Sequence, residues 1–241
     1  VASIRTSNLI WNGAQTPAAG VIAGGAGSGQ GTLDIRSERL EFGYGPFSQP
    51  SAIDSYQRLA LGFATVNLAA SERITANHKG SLAVYQSQGE YRAGSGYAYS
   101  GGDLNLITPL LTGEAGSRNS LLAGGALRVS AGGGGAASTP VELANGALGA
   151  ELALEGASLL LDTRVGLPSG KLSLTAQEDL ELGAGAQLDL AGRALRFDDV
   201  TRYSWGGEVN LLSHGGNIRQ AGASRIDLSA SNNQAGSLTA V

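Results

Sequence analysis

The chain has no cysteine and no methionine, and only 5% of its residues are aromatic. Without cysteine there are no disulfides, no thiol catalysis and no Cys-ligated zinc or iron–sulfur cluster. Charge is scarce, at 15% of 241 residues, and 16 Lys and Arg face 20 Asp and Glu, a formal charge of −4. A nucleic-acid footprint needs clustered positive charge, so that class is set aside. No run of 18 apolar residues occurs, which excludes a membrane-spanning helix. No Met or charged stretch precedes an apolar segment at Val1, so no signal peptide is visible. We read the chain as a segment of a longer protein, because Gly236 to Val241 look like a strand stopped midway.

Catalytic signatures are also missing. There is no G-x-S-x-G elbow, no complete G-x-G-x-x-G, and Gly170-Lys171 is followed by Leu172 where a phosphate loop needs Ser or Thr. The two histidines, His78 and His214, are far apart and each sits beside a Gly-containing turn. Both are expected to be exposed turn residues. No metal and no cofactor is expected.

What is present is glycine, 38 of 241 residues against a usual ~7%, with 42% hydrophobic content, too much for a disordered chain. A short apolar–polar–apolar unit recurs throughout. It appears as Leu33-Asp34-Ile35, Val66-Asn67-Leu68, Leu104-Asn105-Leu106, Val141-Glu142-Leu143, Leu180-Glu181-Leu182, Leu188-Asp189-Leu190, Val209-Asn210-Leu211 and Ile226-Asp227-Leu228. Looser copies include Leu40-Glu41-Phe42, Leu172-Ser173-Leu174 and Leu195-Arg196-Phe197. Period-two alternation sends the outer two side chains to one face and the middle one to the other, the mark of a strand.

Spacing decides the architecture. Leu172 to Leu180 is 8 residues, Leu180 to Leu188 is 8, Leu188 to Leu195 is 7, and Ile218 to Ile226 is 8. Such short strands leave only a few small residues per corner. Three strands per coil, with successive coils stacked, predict an all-β parallel β-helix. One coil needs roughly 24–30 residues, and about eight coils at the ~4.8 Å strand spacing make a rod near 40 Å long. Leu172, Leu180, Leu188, Val209, Ile218 and Ile226 are expected inside it.

Departures from the pattern mark the domain organisation. Residues 1–31 read as an irregular lead-in or first coil, and 32–241 as the solenoid. Loop or hairpin insertions are expected near 43–60, 85–101, 131–140 and 198–208. Tyr56-Gln57-Arg58 falls in the first of these and Tyr203-Ser204-Trp205 in the last. The insert at 85–101 holds Tyr85, Tyr91, Tyr97 and Tyr99, four of the seven tyrosines. Tyrosine supplies a stacking face and a hydroxyl at low entropy cost, so these four form the candidate contact surface.

The stretch from Gly170-Lys171-Leu172-Ser173-Leu174 to Gly236-Ser237-Leu238-Thr239-Ala240 resembles the repeat region of filamentous-haemagglutinin-like exoproteins of two-partner secretion systems. Tyr203-Ser204-Trp205-Gly206-Gly207-Glu208-Val209-Asn210-Leu211 carries the likeness most plainly, and Gly101-Gly102-Asp103-Leu104-Asn105-Leu106 is similar to very large members. No Asn-Pro dipeptide occurs, so the family's amino-terminal secretion domain has no match and the likeness is to an interior passenger segment. The resemblance implies a right-handed helix, with the handedness also expected from the crossover rule. It also implies a secreted or surface-displayed Gram-negative adhesin, exported by an outer-membrane transporter partner and contacting a host-cell or bacterial surface component such as a glycan.

Two other readings stay open. A carbohydrate-active β-helix enzyme would use outward carboxylates, with Glu181, Asp189 and the Asp198-Asp199 pair as candidates. A ligand-capture module serving uptake or cell-surface signalling would centre on the tyrosine insert. The outward slot also holds Asn67, Asn105, Asn210, Ser173 and Arg128. That pattern favours solvation over catalysis, and amide replacements at Glu181 and Asp189 are expected to leave stability unchanged.

Overall fold

The computed structural model describes residues 1–15, 29–43, 56–132 and 145–241. Val141-Glu142-Leu143, nearly all of the insertion expected at 131–140 and most of the one at 43–60 lie outside these residues. The protein is all-β, built of parallel, strongly curled sheets. No helix among the described residues is long and apolar enough to cross a membrane.

The chain travels in circuits. Leu159–Asp162 and Arg164–Gly166 lie in one sheet and Lys171–Ala176 in a second. The next circuit repeats the order with Leu180–Leu182, Gln187–Asp189 and Glu208–Ser213, and the one after with Ile218–Gln220, Arg225–Asp227 and Ser237–Ala240. Each strand pairs in parallel with its counterpart one circuit earlier. The first sheet thus supplies two faces and the second sheet a third. In Gly31–Phe42 and Phe63–Ala76 one long strand serves both faces of the first sheet, and their register shifts between Ser37 and Arg39. A bulge there bends the strand around the corner.

Parallel register turns the repeat unit into columns. Ala2, Leu33, Val66, Leu104, Leu127, Leu159, Leu180 and Ile218 are successive partners along the first face. Leu9, Leu40, Ile74, Leu111, Val165, Leu188 and Ile226 form a column on the next. Leu82, Leu121, Leu154, Leu174 and Leu211 run down the third. From Val66 to Leu180 the first column is essentially inaccessible to water. Each fully buried leucine contributes about 2–3 kcal/mol by area.

Leu172, Leu180, Leu188 and Val209 lie in the core as the alternation requires. Ile218 and Ile226 are only partly buried, because their strands are the last of their faces and no strand among the described residues stacks beyond them. The outward columns are bonded too: Asn67 Nδ2 donates to Asp34 Oδ1 at 2.6 Å, and Asn105 Nδ2 to Asn67 Oδ1 at 2.8 Å. The asparagines read as solvated slots therefore tie three circuits together.

One circuit is incomplete among the described residues. Leu127–Ser130 sits between Asp103–Ile107 and Leu159–Asp162, yet on the neighbouring face Leu110–Gly113 pairs directly with Arg164–Gly166. Two buried threonines stitch the circuits across that step. Thr112 Oγ1 donates to Gly166 O at 2.7 Å and Thr163 Oγ1 to Thr108 O at 2.6 Å.

Glycine at the corner before the second sheet has a steric cause. A Cβ on Gly170, Gly207 or Gly236 would fall inside contact distance of the carbonyl oxygen of Ala150, Gly170 or Gly207, one circuit earlier. The Gly-Lys-Leu-Ser-Leu and Gly-Glu-Val-Asn-Leu repeats carry that requirement.

Three expectations are corrected. Tyr56-Gln57-Arg58 is not loop but the start of strand Tyr56–Leu61 in the second sheet, and Arg58 is buried at the head of the leucine column. Its Nε donates to Trp11 O at 2.6 Å and its Nη2 to Gly43 O at 3.2 Å, while the guanidinium lies over the Phe42 ring. Burial lowers its pKa to about 10. Leu195-Arg196-Phe197 is not a coil strand. Ala194–Phe197 pairs antiparallel with Val200–Tyr203, so the insertion starts before 198. Alternation alone does not tell a hairpin strand from a core strand. Asp189 points outward but is not a simply solvated slot, since both its oxygens accept from Arg193 Nη2, at 2.9 and 2.8 Å.

Leu180→Asp should cost about 4 kcal/mol in denaturant unfolding, because an unpaired carboxylate would enter an apolar column. A loss under ~1 kcal/mol would contradict the register. Acid should loosen the last circuits first. Asp179 is held below its ordinary value of 3.8 by hydrogen bonds from the Asn217 backbone, Arg219 and the Asn217 side chain. Glu208 is held below 4.5 by Asn210 and Lys171, and Asp227 below 3.8 by Ser229 and Arg225. Carboxyls lowered in the folded state stabilise fully above their unfolded values and lose that contribution as pH falls through the folded ones. Hydrogen exchange followed downward from pH 5 should show protection lost at Ile218–Ala240 before Leu104–Val129.

Candidate functional site

Strand Lys79–Tyr85 turns Leu82 and Val84 inward, so Tyr85 faces out from the second sheet. The chain then leaves the coil path as a hairpin of Ser87–Arg92 and Gly96–Ser100. Its root is closed by the Ser87–Ser100 hydroxyl pair at 2.8 Å and by Gln86 N donating to Ser100 O and Gly101 O. Gly101 and Gly102 take φ of 61° and 94°, the left-handed region that glycine adopts freely. A Cβ on Gly102 would collide with Gln86 N and the Tyr85 backbone, so only glycine lets the returning chain pass this close.

The hairpin gathers all four candidate tyrosines. Tyr85 and Tyr99 stack at 4.6 Å and 17°, Tyr99 and Tyr97 tilt at 6.5 Å, and Tyr97 meets Tyr91 edge-on at 5.2 Å. Offset and edge contacts of this kind suit the ring quadrupole and contribute about 1 kcal/mol each. Three of the rings spend part of their surface on one another, and Tyr91 is the exposed member, at 57%. Burial, with the Glu155 carboxylate nearby and Tyr99 beside it, raises the Tyr85 pKa above 10. Tyr85 therefore stays a neutral phenol, able to donate and accept hydrogen bonds. The cluster offers a stacking edge with hydroxyls and no nucleophile.

The second hairpin, Ala194–Phe197 with Val200–Tyr203, turns at Asp198-Asp199, where Asp198 takes φ of 50°. Phe197 and Trp205 are about 60% exposed, more than any of the four tyrosines. Sequence reasoning missed this pair as a surface. Its signal is two large aromatics eight residues apart around Asp198-Asp199, of which Phe197 belongs to an alternating triplet and Trp205 to a loop-like run.

Other sequence candidates are dispersed. Glu181 is an exposed outward residue. Asp189 and Asp227 are direct partners on neighbouring strands. Each is engaged by donors, Asp189 by Arg193 and Asp227 by Ser229 and Arg225. A carboxylate pair for acid catalysis needs one member held protonated, and Asp227 is shifted the opposite way. His78 takes φ of 56° at a corner with Nδ1 3.3 Å from Glu114, while His214 follows strand Glu208–Ser213, four strands along the second sheet. Among the described residues no group of three or more His, Asp or Glu is placed to hold a metal ion. A shallow groove of about 280 Å³ crosses the second sheet, lined by Arg118, Ser120, Glu151, Ala153, Lys171 and Ser173. Its charges are paired, Arg118 with Glu151 at 3.1 Å and Lys171 with Glu208 at 3.0 Å.

No family model, curated protein or solved structure matches the chain.

Gly102→Ala should displace the hairpin, at a cost of about 1–3 kcal/mol for a non-glycine residue forced into this φ and against backbone. Limited proteolysis should then cut within 86–101, while Gly222→Ala, at a site with open space around it, leaves the digestion pattern unchanged. Equal resistance in both variants would count against the close crossing.

Proposed function

We propose that the chain is a stalk-like, adhesive segment of a secreted or surface-displayed bacterial exoprotein. In this reading the circuits form a right-handed parallel β-helix, the hand expected for parallel crossovers. The observation that carries the proposal is the division of labour along the chain. Columns of leucine are sealed inside, while the tyrosine hairpin stands outside the coil path and adds nothing to the leucine columns. A rod of stacked circuits gives reach. A hairpin held at a corner gives a contact surface that can vary without disturbing the core.

The likeness to filamentous-haemagglutinin-like passenger segments supports the same reading. It brings with it export through an outer-membrane transporter partner and a surface component of host or bacterial cells as the target. Stacked circuits gain stability by nearest-neighbour addition, which suits folding as a chain emerges from a pore. We assign no catalytic role, because the outward carboxylates that stand as neighbours are tied to donors.

Tyr91→Ala combined with Tyr97→Ala should weaken attachment of the purified chain to host cells or a glycan array. Two ring contacts of about 1 kcal/mol each correspond to a tenfold to hundredfold loss. Full attachment by a folded double variant would contradict the assignment of the contact to this hairpin.

A further inference from the structure

We infer that the second hairpin, Ala194–Tyr203 with Trp205, is a separate binding element for an uncharged polysaccharide. It shares no residue with the tyrosine hairpin and does not depend on it.

The first observation is exposure. Phe197, Val200, Tyr203 and Trp205 all present large apolar surface to solvent. Phe197 and Val200 are direct partners at the tip, and Leu195 with Arg202 continues the same face. The second observation is rigidity at the base. Asp189 grips Arg193 with both oxygens, in the least exposed ion pair among the described residues. Arg193 Nη1 also donates to Ala191 O at 2.9 Å. Ser169, at φ 53°, brings its hydroxyl to Ser204 Oγ at 2.6 Å and donates to Trp205 O at 2.7 Å. Arg193 N donates to Ser204 Oγ at 2.7 Å, and Asn233 Nδ2 to Tyr203 O at 2.7 Å. These bonds hold the base of the hairpin in one arrangement. An exposed aromatic element gains from it, because ordering done in advance is not charged against binding.

The charges select the occupant. Two aspartates, Asp198 and Asp199, form the turn at the tip, so insertion into a membrane would bury carboxylates at high cost. Arg196 and Arg202 balance the two carboxylates, so the hairpin has no net charge with which to hold nucleic acid or a sulfated or uronate polymer. Arg202 shares the face of Phe197 and Val200, while Arg196, Thr201 and Tyr203 lie on the opposite face, so each face carries one guanidinium and the tip carries the two carboxylates. Aromatic faces take the C–H face of a sugar ring, and neighbouring carboxylate and guanidinium groups hydrogen-bond vicinal hydroxyls without needing charge on the ligand.

The two tryptophans allow a local readout. Trp11 packs against Phe42 and Trp205 is exposed, so the Trp11→Phe variant reports from Trp205 alone. Titration with a soluble β-1,3-glucan, a galactomannan and an arabinogalactan should change Trp205 emission with at least one of them. Trp205→Ala in the natural background, checked for fold by circular dichroism, should lower retention of the chain in gels cast with that polysaccharide at least tenfold. Tyr91→Ala with Tyr97→Ala should leave that retention intact, which separates this element from the proposed adhesive hairpin. No emission change with any of the three overturns the inference. So does binding restricted to heparin, to anionic phosphatidylserine vesicles or to a second copy of the chain, and so does undiminished retention of Trp205→Ala.

Discussion

Parallel register between circuits is the constraint on which everything else depends. Once Leu159 lies under Leu180, every alternate residue of both strands is fixed as inward or outward, and a slip of one residue would expose the whole column. Leucine, isoleucine and valine fill the columns because a buried aliphatic side chain stacks on its own kind with no polar group to satisfy. Where a cation enters the head of a column, its donors are met locally. Arg58 heads a leucine column only because three carbonyls and the Phe42 ring surround its guanidinium. The asparagine run on the outer face follows the same register, each amide bonded to the circuit before it.

Corners carry the second constraint. Circuits one strand spacing apart leave no room for a Cβ where the chain enters the second sheet, so Gly170, Gly207 and Gly236 recur there. Corners are also where the chain departs from its path without breaking the ladders. One hairpin leaves after Lys79–Tyr85, at the exit from the second sheet, and the other before Glu208–Ser213, at its entry. The first returns to Asp103–Ile107, which opens the next circuit, and the second to Glu208–Ser213, the last strand of its own circuit. Functional groups placed on such excursions are free of the packing rules that fix the columns.

Much of the core was legible in the sequence because alternation and spacing report burial directly. Leu104, Leu127, Leu180 and Leu188 are where the repeat unit puts them. Two kinds of residue were not. Arg58 looks like a surface residue in sequence, and its burial follows only from carbonyls at Trp11, Tyr56 and Gly43 that converge in three dimensions. Leu195-Arg196-Phe197 has the alternation of a core strand, but its partner is Val200–Tyr203, starting three residues on, instead of a strand a full circuit away. The four tyrosines were legible as a cluster by composition, whereas their mutual stacking was not, since it depends on the hairpin register that pairs Tyr91 with Tyr97 and Gln88 with Tyr99. Asp189 shared its outward slot with asparagines in sequence. Only the fold shows Arg193 reaching back to it.

The absence of natural cysteine makes the register open to a direct measurement. Asn67 and Asn105 are outward partners on adjacent circuits, at a spacing of ~4.8 Å that falls within the ~4.4–6.8 Å a disulfide spans. Asn67→Cys with Asn105→Cys should close to a disulfide under mild oxidation in the folded chain. Asn67→Cys with Asp103→Cys, offset by two residues along the same strand, should not. Efficient closure of the offset pair, or failure of the in-register pair in folded protein, would contradict the parallel stacking of circuits.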